Sequence, residues 1–266
     1  MSEPTQAPAP FWKMALALWL PSLVGAGLVL PYALKLQEAA LAAAAERTHH
    51  SVTTLILASS AQTAVLLLVA VLAGLWASRR LGLKIPLISA WLTRQSTPRG
   101  AGRTLALAFV IGLVVGLGLV ALDHFVFARI PSVAGLVRDT GDGAALPSAW
   151  QGLLAAFYGG IDEEVLMRLG LMSLLALVFR AVLPRRDVAL PSRVFWPANI
   201  LAALLFGLGH LPATAALVPL TAPVIARAII LNGAAGIVFG VLFRRYGLEW
   251  AMVSHFGADI VLHVIF

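Results

Sequence analysis

The chain has 266 residues, 60% of them hydrophobic and only 12% charged, with a mean hydropathy of +0.92. A single water-soluble core cannot bury that much apolar surface, so lipid is the expected solvent. The sequence contains no cysteine, which excludes disulfides, thiolate metal sites and cysteine nucleophiles. The net charge of +7 falls mostly at the ends of apolar runs, where anionic headgroups attract it, and implies no nucleic-acid partner.

In chain order, residues 1–10 are polar and proline-rich and read as a disordered cytoplasmic tail. A hydrocarbon core of about 30 Å is crossed by roughly 20 predominantly apolar residues. Seven windows meet that requirement: 11–34, 52–78, 104–127, 149–183, 195–211, 222–243 and 248–266. They predict an all-α polytopic transmembrane bundle of about seven spans, with an eighth if the stretch 212–223 hides a short one. The first window exceeds a signal-peptide core and is read as a retained span. The Ala-rich segment 37–50 has helix-forming composition and extends that span into the aqueous phase. Between residues 81 and 103, Leu87, Ile88, Trp91 and Leu92 alternate with basic residues, which suits a short helix on the cytoplasmic headgroups as well as a plain basic loop. The fourth window is long enough to tilt, to kink at Gly159-Gly160, or to begin outside the lipid.

Basic residues mark the cytoplasmic side of a span. Arg79, Arg80, Lys84, Arg94, Arg99 and Arg103 fill one loop, Arg180, Arg185, Arg186 and Arg193 another, and Arg244 and Arg245 a third. The opposite loops hold Lys35, Arg47, Arg129 and Arg138, partly offset by Glu38, Glu46, Asp139 and Asp142. The N-terminus is therefore expected in the cytoplasm and the C-terminus outside. The Ala/Leu/Arg-rich composition is what a bacterial inner-membrane protein would show. No repeat of 20–50 residues is detected.

Ionisable side chains in hydrocarbon are costly and by default mark function. Here they cluster as Asp162, Glu163, Glu164 and Arg168 in the fourth span, His210 at the end of the fifth, and His255, Asp259 and His263 in the last. Glu164 precedes Arg168 by four residues, the favourable helical ion-pair spacing. Glu163 lies about 100° round the helix from Glu164 and is the freer carboxylate. A desolvated carboxylate beside a second acid is poised to accept a proton from water, as a general base must. The competing reading makes these charges a network that only holds helices together.

Phe206 and His210 share a face, and the glycines between them admit a close neighbour. His255 and Asp259 are also four apart, so Asp259 is placed to orient the imidazole. His263 continues that face and is read as interfacial. Asn232, Gly236 and Gly240 form a small-residue stripe suited to helix packing, and Asn232 is placed to reach a site residue. Asp123, near the outer end of the third span, is expected to be solvated or paired locally.

Three of these groups match known motifs in order: Glu163-Glu164-Val-Leu-Met-Arg168 as EExxxR, Phe206-Gly-Leu-Gly-His210 as FxxxH, and His255-Phe-Gly-Ala-Asp259 as HxxxN/D. The chain resembles the CPBP family of intramembrane peptidases, which includes type II CAAX prenyl endopeptidases and bacterial Abi or bacteriocin self-immunity proteins. The resemblance divides the chain into the tail 1–10, N-terminal transmembrane helices 11–147 and a catalytic transmembrane region 148–266. It implies metal-free glutamate catalysis with no cofactor on a membrane-associated peptide or protein substrate. Glu163 and His210 would activate the attacking water, supported by Glu164 and Arg168, and His255 and Asp259 would contact the oxyanion. CAAX-processing members carry Asn at the last position, and an ionised Asp259 would repel an oxyanion, so it must be protonated or act by orienting His255. Zinc bound by histidine and carboxylate is the cofactor alternative, although no HExxH pair is present. A proton-coupled transporter and a non-catalytic immunity protein are the functional alternatives; the former predicts repeats and broken helices in pairs. Oligomeric state is not readable from the sequence.

Overall fold

The computed structural model describes residues 9–131, 133, 146–182 and 190–266. Most of the tail expected at 1–10, together with Arg138, Asp139, Asp142, Arg185 and Arg186, lies outside that set. Among the described residues all regular structure is helical, as lipid requires of an open chain whose backbone groups must pair internally.

The first crossing comprises α1 (Phe11–Leu28) and α2 (Leu30–Leu36). The Ala-rich segment follows as α3 (Glu38–Thr48). Next comes α4 (Val52–Leu81), started by Ser51 Oγ accepting from the Thr54 amide and ended at Gly82, whose φ of 70° is left-handed. Within the 81–103 segment Pro86–Thr93 folds as α5, so it is helical rather than a plain loop, and α6 (Ala101–Phe125) is the third crossing. The fourth begins with a Ser148/Gln151 capping box at α7 (Ala149–Tyr158). It runs on through π-helical Gly159–Glu163 and Val165–Met172 and returns to α geometry in α8 (Ser173–Ala181). After it come α9 (Ser192–Gly209), α10 (Leu211–Ala215), α11 (Ala222–Arg245) and α12 (Leu248–Asp259), the last closing in a π-helical stretch, Ile260–Ile265.

Among the described residues six helices are long and apolar enough to cross a membrane, by length and composition. The seventh predicted span is the continuous α–π–α helix from Ala149 to Ala181, which carries the four charges. The stretch 212–223 adds no span, because α10 has only five residues and a rise of about 1.5 Å per residue makes it far too short.

Contacts at the helix ends sort the bundle into two faces. The Arg79 guanidinium donates to the Ala9 carbonyl at 2.7 Å, Arg244 donates to the Leu190 carbonyl at 3.1 Å, and the Leu248 amide donates to the Lys84 carbonyl at 3.1 Å. These bonds gather the basic ends of α4, α5 and α11 with the starts of α1, α9 and α12. Glu249, 7% exposed, accepts from the Leu87 and Ile88 amides at 2.8 and 3.0 Å and so caps α5 from a different span. At the opposite face Gln151 donates to the Pro31 carbonyl at 2.8 Å.

Asp123 is partly exposed and is not paired locally. Its two oxygens accept from Nε and an Nη of Arg227 at 2.6 Å each, tying α6 to α11. The expectation of a local partner failed because the partner lies 104 residues away in sequence. The small-residue stripe packs α11 against α9, and Asn199 donates to the Ile237 carbonyl at 3.0 Å. Asn232 does not reach the site residues: its amide donates to the Ala228 carbonyl on its own helix at 2.9 Å.

The N-terminal spans pack directly on the helices that carry the charges. One core runs from Met14 and Leu18 through Leu67, Val71 and Leu75 to Val165, Leu169 and Met172. Gly112 lets α6 touch α12, since a side-chain carbon there would collide with the Ser254 carbonyl.

Candidate active site

Glu163, Glu164, Arg168, His210, His255 and Asp259 converge from three segments: the π-helical part of the fourth crossing, the end of α9, and α12. His255 lies at their centre. Its Nδ1 is 2.8 Å from Glu164 Oε1, and its Nε2 is 3.5 Å from Glu163 Oε2 and 3.6 Å from Asp259 Oδ1. The ring stacks on Phe239 with centroids 4.5 Å apart and 21° between planes, and the Phe206 edge faces it at 6.0 Å. Those aromatic walls leave the ring little freedom to turn.

The two adjacent glutamates occupy different surroundings. Glu164 is fully buried and bridges His255 to Arg168, whose Nε is 3.4 Å from Oε2. The Arg168 guanidinium, also buried, lies over the rings of Phe206 and Phe239 at 4.9 and 5.5 Å. Glu163 keeps 20% of its side chain exposed and faces His210, with Oε1 3.9 Å from Nε2. Asp162 points the other way and packs against Gly25 of α1.

His210 sits at the C-terminal cap of α9, its side chain 35% exposed. Nδ1 is 2.9 Å from the Phe206 carbonyl oxygen. A carbonyl only accepts, so Nδ1 carries a proton and the neutral ring presents the Nε2 lone pair toward Glu163. A carboxylate oxygen and an imidazole lone pair facing each other at this distance make a pair of acceptors for a donor such as water. This follows from the helix end: Phe206 and His210 are four apart, so Nδ1 reaches the last free carbonyls.

Asp259 shares His255 with Glu164. The short contact to Nδ1 belongs to Glu164, and Asp259 approaches Nε2 from the other side of the ring. Its Oδ2 lies against Gly159, where a side-chain carbon would collide with that oxygen and come within 3.3 Å of His255 Nε2. Gly159, considered in the sequence only as a kink, therefore gives Asp259 room. His263 is not a purely interfacial residue: its Nδ1 is 3.2 Å from the Tyr32 hydroxyl and its Nε2 is 3.9 Å from Asp259 Oδ1. Neither Tyr32 nor Phe239 was a sequence candidate, because nothing in a hydrophobic window distinguishes an aromatic that meets a buried polar group from one that meets lipid.

A helical membrane bundle enclosing a carboxylate–imidazole centre is the architecture expected of an intramembrane hydrolase. Residues 145–261 match the family described as type II CAAX prenyl endopeptidase Rce1-like, and this match supports the CPBP/CAAX protease family for that region. No curated protein and no solved structure matches the chain.

Proposed function

We propose that the chain is an intramembrane endopeptidase that hydrolyses a peptide bond of a membrane-associated substrate with a water activated by Glu163 and His210. The observation that carries this reading is the facing of two acceptors, Glu163 Oε1 and His210 Nε2, at 3.9 Å on the partly exposed side of the site. Water donating to both is held and polarised. Its oxygen attacks the carbonyl carbon while one proton passes to Glu163, and Glu163 returns that proton to the leaving nitrogen as the C–N bond breaks. The water's second proton leaves the new carboxyl through His210 to the amine, so the products are a carboxylate and an ammonium.

The developing oxyanion is stabilised by a donor beside Glu163. His255, doubly protonated between the carboxylates, gives Nδ1–H to Glu164 and Nε2–H to the oxyanion. Glu164 and Arg168 are positioning residues, setting the orientation and charge of that imidazole. The mechanism uses no metal. Maturation of a membrane peptide or self-protection against a bacteriocin in a bacterial inner membrane suits this chemistry, with the N-terminus cytoplasmic and the basic loops on the same side.

The test is cleavage of candidate membrane peptides by the purified full-length protein in lipid, beside Glu163→Ala and His210→Ala variants. Wild type is expected to cleave and both variants to fail; equal cleavage by all three would refute the glutamate mechanism. Full activity after verified metal removal is expected, and its loss with recovery on zinc addition would favour the zinc alternative. The cysteine-free sequence makes topology simple to check: single cysteines in the 82–100 loop should resist impermeant labelling of intact cells.

A further inference from the structure

The proposed reaction leaves Asp259 unexplained, since an ionised carboxylate would oppose an oxyanion. Glu163, Glu164 and Asp259 each place an oxygen within 3.6 Å of a His255 nitrogen. Arg168 is the buried cation paired into this group. Three carboxylates against one guanidinium and one imidazolium leave a negative charge in excess, which a desolvated interior resists. Glu164 has Arg168 as well as His255, and Glu163 is the more exposed, at 20% against 9% for the Asp259 side chain. Asp259 is the carboxyl with least to hold its charge.

Its two oxygens are not equivalent. Oδ1 faces His255 Nε2 and His263 Nε2 at 3.6 and 3.9 Å, whereas Oδ2 lies against Gly159. The Tyr32 hydroxyl is 3.2 Å from His263 Nδ1. A phenol donating there leaves the imidazole proton on Nε2, directed at Oδ1. Contacts of this kind are commonly long before substrate binds and tighten afterwards. The titratable groups facing Asp259 are therefore His255 and His263 on its own helix, Glu163 and Glu164 from the fourth crossing, and Tyr32 from α2. His263 is also within electrostatic reach of Glu163, His255 and His210.

We propose that Tyr32 and His263 are positioning residues for Asp259: the surplus of buried carboxylates around His255 keeps this group a neutral acid, and the two residues place its proton on Oδ2, turning it into a hydrogen-bond donor toward the substrate. The hydroxyl selects the tautomer, Nε2–H occupies Oδ1, and the remaining oxygen carries the proton over Gly159. Both residues lie outside the family-matched region 145–261, so this support comes from the first crossing and the C-terminal π-helical stretch of this chain. The proposal rests on the peptidase reading for its kinetic consequence only.

The test uses full-length protein in lipid nanodiscs, with Y32F, H263Q, Y32F/H263Q and D259N variants. Histidine-nitrogen NMR should show one imidazole protonated at Nε2 with a hydrogen-bonded Nδ1, absent in H263Q and mixed between tautomers in Y32F. Infrared spectra should show an un-ionised carboxyl band that D259N removes. On a peptide the wild type cleaves, Y32F should lower kcat about tenfold with KM unchanged, the scale of one lost hydrogen bond, and the double variant should be no slower than H263Q. An unchanged His263 signal in Y32F, no carboxyl band sensitive to D259N, or losses that multiply would each overturn the proposal. If the wild type cleaves nothing, the peptidase reading fails while the two spectra still decide the pair.

Discussion

Replacing Arg168 with methionine separates a positioning role from a merely space-filling one. Arg168 is 1% exposed and Glu164 is fully buried, so the substitution keeps an unbranched apolar stem but strands a carboxylate in a dry interior. Removing one partner of a buried pair costs about 3–5 kcal/mol, which greatly exceeds what the intact pair contributes over an apolar substitute. At about 1.4 kcal/mol per decade this is roughly two to three and a half decades in the folding equilibrium. Loss of the contacts to Phe206 and Phe239 acts in the same direction. Thermal unfolding of the purified protein in one fixed detergent should show R168M melting about 6–20 °C below wild type, at roughly 2–4 °C per kcal/mol. E164Q/R168M, which removes both charges, should recover most of that difference. If the single and double variants melt together, the cost is lost packing and the buried-pair reasoning is wrong. Neither variant should cleave peptide at the wild-type rate, because both disturb the carboxylate that holds His255 Nδ1 at 2.8 Å.

Gly159→Ala puts a methyl group into the space of Asp259 Oδ2; overpacking of this kind costs about 1–3 kcal/mol, and the displaced carboxyl should lower kcat/KM about a hundredfold, whereas activity equal to wild type would mean that Asp259 does not approach substrate there. Breaking the Asp123–Arg227 pair, whose side chains are 25% and 35% exposed, with R227Q should cost about 1 kcal/mol, and D123R/R227D should restore the lost melting temperature if the pair, rather than either residue alone, joins α6 to α11. E249Q weakens the cap on α5 by roughly 1 kcal/mol; hydrogen exchange at the Leu87 and Ile88 amides should accelerate about fivefold, and unchanged exchange would show that α5 is held by its apolar face instead.

The spans were legible because a bilayer demands long uncharged windows, and hydropathy reports little else. Pairs within one helix turn were legible for a similar reason: Glu164 with Arg168, and Phe206 with His210, follow from four-residue spacing. Contacts between spans were not. Asp123 finds Arg227, Glu249 caps α5, and Tyr32 meets His263 because the bundle folds them together, and each looked solitary or unremarkable along the chain. The close partner of His255 Nδ1, Glu164, was missed at the same boundary. Spacing placed His255 and Asp259 on one face, yet Nδ1 is taken by Glu164 from another helix.

The neighbouring glutamates acquire unlike surroundings because the fourth crossing turns them to different sides, and its π segments change the local spacing. In an α-helix Glu163 would point about 100° away from Glu164, and residues five apart, such as Glu163 and Arg168, would diverge. A π-helix bonds i to i+5 and brings residues five apart into line, and the Ser173 hydroxyl donating to the Arg168 carbonyl five residues earlier at 3.1 Å follows that spacing. Around the π segments Glu164 still reaches Arg168, while Glu163 remains on the wall shared by His210 and His255. One carboxylate is thereby buried with a permanent cation and the other faces two imidazoles with partial access to solvent. The division of labour between a positioning residue and a base then follows from helix register rather than residue type, since both positions carry the same side chain.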